Sequence, residues 1–115
     1  MHEMRVKRAY EPPGDGDGQR VLVDRMWPRG VAKDELQIDA WLKEIAPSSK
    51  LRKWFGHDPA KWTEFQRRYA AELEDAGEPL AELRGMLKDG PVTLVYAAKD
   101  EDHNNAVALR QWLRG

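Results

Sequence analysis

Arg20-Val21-Leu22-Val23-Asp24-Arg25-Met26-Trp27-Pro28-Arg29-Gly30 decides the fold. Its first half is a continuous, β-branched apolar run, as expected of a strand covered on both faces. Its second half must leave the sheet, because Pro28 has no N–H to give to a ladder. Val92-Thr93-Leu94-Val95-Tyr96 repeats the pattern near the other end of the chain. Met4 to Tyr10 alternates loosely and reads as a further strand. Between the first two strands, Glu11 to Gly18 holds three glycines and two prolines and reads as a loop.

The stretch between the two buried strands reads as helices. Ile38, Trp41, Leu42 and Ile45 share one helical face and stop before Pro47. Leu51, Trp54 and Phe55 follow a Ser48-Ser49 start. Asp58-Pro59 marks another start, a capping carboxylate followed by proline in the first turn. Trp62, Phe65, Tyr69 and Leu73 then form a stripe that ends at Gly77. Pro79 opens a helix with Leu80, Leu83 and Leu87 inward, closed by Gly90-Pro91. Ala106, Leu109 and Leu113 mark the last helix. The expected architecture is α/β: a small, mostly parallel sheet of three strands, or four, with helices on both faces.

The 115 residues suit one domain spanning 1–115. A formal net charge of -1, with both signs mixed along the chain, argues against a general nucleic-acid or membrane binder. With no cysteine there is no disulfide, thiolate metal site or thiol nucleophile. The opening Met1-His2-Glu3-Met4-Arg5 has no apolar run of the kind a signal peptide needs, and no stretch is long enough to span a bilayer. A cytoplasmic location is expected.

Open α/β sheets carry their sites beyond the carboxyl ends of the strands. Asp24, Arg25, Trp27 and Arg29 follow the first buried strand. Tyr96, Lys99, Asp100, Asp102, His103 and Asn104 follow the second. If the strands are parallel neighbours, Arg25, Arg29 and Lys99 share one crevice and can grip a phosphate or carboxylate. Arg8 and Tyr10 join them if the first strand runs the same way. Asp24 and His103 are the candidates for orienting groups or moving protons. The same charges also fit a structural ion-pair network at the strand ends.

Asp24, Asp100 and Asp102 have the oxygen chemistry for Mg²⁺, but their spacing demands no metal, since carboxylates at helix starts usually cap. The sequence leaves the cofactor, if there is one, unknown. His57 beside Asp58 has the pairing of a base with its orienting carboxylate, but the Asp-Pro start already explains Asp58 as a cap and leaves His57 as a surface turn residue. Trp27, flanked by arginines, either stacks on a base or sugar or plugs the sheet end. Two functions follow. One is a site for an anionic small molecule, a phosphate ester or nucleotide, with or without catalysis. The other is an interaction module docking a protein, or less readily a nucleic acid, through the Arg25-Trp27-Arg29 turn.

Val6-Lys7-Arg8-Ala9-Tyr10, the Arg20 to Gly30 stretch, Leu51-Arg52-Lys53-Trp54-Phe55-Gly56-His57-Asp58-Pro59, Val92 to Asp100 and His103-Asn104-Asn105-Ala106 recur in a familiar order. Over nearly its whole length the chain resembles the short, YeaO-like members of the family known as domain of unknown function 488 (DUF488). The resemblance implies a small α/β domain and no particular activity. Longer relatives end one strand in an Asp-Val-Arg-like turn, which Asp24-Arg25 resembles, and follow a late strand with a Cys-His-Arg-like turn. His103 resembles the latter. The cysteine is absent here and Asn104 stands where an arginine would, so the resemblance implies no thiol chemistry.

Overall fold

The computed structural model describes residues 3–115, so Met1 and His2 of the polar opening lie outside it. The sheet has four strands in the order β1-β4-β2-β3. These are β1 (Met4–Arg8), β2 (Gln19–Leu22), β3 (Ala40–Trp41) and β4 (Val92–Tyr96). Every neighbouring pair is parallel, with Met4 opposite Val92, Val21 opposite Leu94 and Leu22 opposite Trp41. All carboxyl ends therefore lie at one edge of the sheet.

The alternation of side chains along the strands splits the core in two. On one face Met4, Val21, Val23, Val92, Leu94 and Tyr96 pack against four helices. These are α2 (Ser49–Phe55), α3 (Trp62–Glu74), α4 (Glu78–Asp89) and α5 (Asn105–Arg114). On the other face Leu22 and Val95 meet Ala9, Trp27, Trp41 and Leu36, the last from the single-turn helix α1 (Lys33–Leu36). Asp15–Asp17 forms a 3-10 turn within the first loop, and Thr93 Oγ1 donates to Asp17 O at 2.7 Å. Helices thus cover both faces, unequally.

Ile38 to Ile45 is not the helix its spacing predicts. Asp39 N donates to Arg20 O at 2.7 Å and Leu42 N donates to Leu22 O at 3.0 Å. Those bonds draw the segment into the sheet as β3, and only Lys43–Ile45 turns as a 3-10 helix. The starts of two other helical segments follow the sequence. Ser48 Oγ accepts from Leu51 N, and Asp58 Oδ1 accepts from Ala60 N. The last helix is capped by Asn104, whose Oδ1 accepts from Val107 N, and not by Asp100. Among the described residues no helix is long and apolar enough to cross a membrane.

Candidate functional site

Beyond the carboxyl ends of β2 and β4 lies a cavity of about 820 Å³, within the range of small-molecule sites. Its floor is built on Asp24. Ala97 N–H donates to Asp24 Oδ2 at 2.9 Å, and Asn105 Nδ2 donates to Asp24 Oδ1 at 3.0 Å and to Val23 O at 3.0 Å. Trp41 Nε1 donates to Asp24 O at 2.7 Å. One aspartate therefore ties the end of β2 to the end of β4 and the first residue of α5. Burial pushes its carboxyl above the ordinary value. The hydrogen bonds from Asn105 and Ala97, and the nearby charges of Arg52 and His57, oppose that rise without cancelling it.

The inner walls are apolar. Phe55 and Phe65, both buried, stack with centroids 4.3 Å apart, and Ala46 and Pro47 lie beside them. The mouth carries Arg25, Arg29, Arg52 and Lys99. Among the described residues none of these four makes a salt bridge. Arg25 Nη2 reaches only Ala46 O, at 3.4 Å, and its Nε is buried without an acceptor. Asp100, also at the cavity, accepts from Asp102 N and His103 N and lies 3.0 Å from His103 Nδ1. Those contacts hold its carboxyl below the ordinary value, the bond from Asp102 N–H most of all. The mouth thus offers cations whose charge no carboxylate among the described residues neutralises by contact, the chemistry that grips phosphate or carboxylate.

The structure distributes the sequence candidates unevenly. Asp24, Arg25, Trp27, Arg29 and Lys99 line the crevice, and the parallel run of β1 brings Tyr10 to it. Tyr10 Oη donates to Arg29 O at 3.0 Å. Arg8 reaches the same edge but is not part of the lining. Its Nε donates to Ala98 O at 2.9 Å and its guanidinium lies over the Tyr10 ring. His103 also lies outside the lining, its ring edge-on to Trp62 at 5.3 Å. Among the described residues Asp24 and His103 share no hydrogen bond, and of the two only Asp24 lines the cavity. Trp27 points inward: Nε1 donates to Val31 O at 2.7 Å and the ring meets Trp41 edge-on at 5.5 Å. Asp24, Asp100 and Asp102 do not converge, and among the described residues no group of three or more His, Asp or Glu side chains is placed to hold a metal.

Arg52 and Asn105 line the crevice without being candidates in the sequence, and so does His57, which the sequence places on a surface turn. Arg52 comes from α2, and His57 from the turn after it. Gly56 and His57 both take left-handed backbone, at φ 54 and 56. A non-glycine residue there is uncommon, with His among the enriched types. The turn points His57 to the cavity instead of continuing α2.

The family model described as the inactive DUF488-N3 subclade matches residues 3–115. The uncharacterised protein YeaO of Escherichia coli is 42% identical over 111 residues, covering 96% of both chains. Uncharacterised proteins of Mycobacterium bovis and Mycobacterium tuberculosis are 45% identical over 112 residues, covering 97% of this chain and 94% of theirs. No solved structure matches.

Proposed function

The chain belongs to the DUF488 family, and on that premise we propose that it binds a small anionic molecule, a phosphate ester or nucleotide. The ligand sits in the crevice at the carboxyl ends of β2 and β4. The observation that carries this reading is the set of four mouth cations without salt-bridge partners above a cavity of about 820 Å³. A structural network would have matched those charges with carboxylates, as the chain does elsewhere. The description of the matched subclade as inactive favours binding over turnover, as does the place of His103 outside the lining.

The reading of the Arg25-Trp27-Arg29 turn as a docking surface has less support, because Trp27 is spent on Val31 and Trp41. Thermal melts with inorganic phosphate, nucleoside phosphates and carboxylic acids test the proposal. A ligand at 100 times its Kd stabilises the fold by about 2.7 kcal/mol. At least one phosphate compound should raise Tm, and Arg25→Ala or Arg52→Ala should abolish the rise while leaving a cooperative melt. No shift with any anion would reject the proposal.

A further inference from the structure

Resting on that reading, we infer that the crevice takes a nucleoside phosphate base first, and that Asp24 selects a base whose inner edge carries two adjacent N–H donors, as guanine's does. The orientation follows from how polarity changes with depth. Phe55 and Phe65 are 5% and 2% exposed, whereas Arg29, Arg52 and Lys99 are exposed, beside Met26 at 66%. A flat, weakly polar body gains by going in, and a phosphate gains by staying at the cationic mouth. A phosphate forced to the floor would lose its water and face a carboxylate of its own sign.

The selectivity follows from what the floor has left to offer. Each Asp24 oxygen accepts one hydrogen bond from the protein, and each keeps capacity for a second. The donors bonded to Asp24 are used up. Asn105 Nδ2 is shared between Val23 O and Asp24, and Ala97 N–H is held by Asp24 itself. An ionised carboxylate can only accept. The floor therefore presents two acceptor sites whose own bonded donors are already spent. Guanine meets it with N1–H and its amino group side by side. Adenine and cytosine place a ring-nitrogen acceptor next to their amino group, and that acceptor would face a carboxylate oxygen instead of a donor.

Titration calorimetry on the full chain tests this with guanosine monophosphate, N1-methylguanosine monophosphate, adenosine monophosphate and ribose phosphate. Guanosine monophosphate should bind at least about tenfold tighter than each of the other three, the scale of a hydrogen bond to a charged group. Asp24→Asn should bring the three nucleotides within about threefold of one another, with ribose phosphate still weaker, while Arg52→Ala should weaken all four by a similar factor. Equal binding of guanosine and adenosine monophosphate to the native chain would overturn the role of Asp24 and leave the anion-binding crevice standing. Absence of binding by all four, or indifference to Arg52→Ala, would overturn both. The native-chain comparison decides the matter even if Asp24→Asn fails to fold.

Discussion

Two aspartates, Asp17 buried and Asp24 half-buried, flank β2 and are treated in opposite ways. Asp17, just before the strand and 5% exposed, accepts from Arg20 Nη1 at 2.6 Å, from Lys7 Nζ at 3.2 Å and from Gly14 N–H at 3.1 Å. Arg20, itself 4% exposed, also donates from Nε and Nη2 to Leu36 O. Burial pushes the Asp17 carboxyl up, but the bonds from Gly14, Arg20 and Lys7 together outweigh it and hold the group below its ordinary value. Asp24, just beyond the strand, has two neutral donors and no cation in contact, and there burial wins. A charge network that completes itself needs nothing from outside. At the carboxyl end the cations and the carboxylate are kept apart, and a ligand can bridge them.

The largest effect should come from the closed end. Asp17→Ala leaves the Arg20 guanidinium buried without its counter-charge, which costs about 3–5 kcal/mol, read from urea midpoints. A loss below about 1 kcal/mol would break the contrast, because such a network would be no more than a surface pair. Gly18→Ala at the same end should cost about 2 kcal/mol. Gly18 has φ 65, and an added Cβ would lie 2.2 Å from Pro91 O.

The pH dependence sharpens the contrast, because the two signs differ. Asp17, with its folded pKa lowered, contributes stability above the unfolded carboxylate value of about 3.9. That contribution is lost as pH falls through the folded value. Asp24, with its folded pKa raised, favours the fold below the unfolded value, and that advantage is lost as pH rises through the folded one. Melts across this window should show Asp17→Asn closing on the native chain as pH falls. Asp24→Asn should gain on the native chain as pH rises, ending within about 1 kcal/mol of it at neutrality. The smallest effect belongs to Arg52→Ala. Its side chain is exposed and unpaired, so stability should change by less than about 0.5 kcal/mol, even as the phosphate-dependent rise in Tm disappears.

Much of the fold was legible in the chain because it is written in local chemistry. The apolar runs gave β2 and β4, and Ser48 and Asp58 marked the helical starts that follow them. Ile38 to Ile45 misled because a spacing of three and four residues fits a helix, while β3 is decided by two hydrogen bonds to β2 that no local pattern records. The crevice was legible where one segment supplies it, from Asp24 to Arg29. Arg52 and His57 arrive from a distant helix and its left-handed turn, and no spacing in the sequence announces that approach. His103 looked like a crevice residue because Asp100 looked like the cap. With Asn104 in that role, the Asp100–His103 turn folds back toward Trp62.

The strand order also sets a timetable. β4 lies between β1 and β2 and is the last strand to be made. As the chain leaves the ribosome, only the two-residue β3 has a partner, β2, already available to it. β1 must wait, unpaired, until Val92 to Tyr96 emerges. Pairing so distant in sequence is slow to close, and a nascent or truncated chain without β4 has no sheet on which its helices can settle. This protein should therefore be most exposed to proteases and to aggregation during synthesis, and its fold is completed by its last quarter.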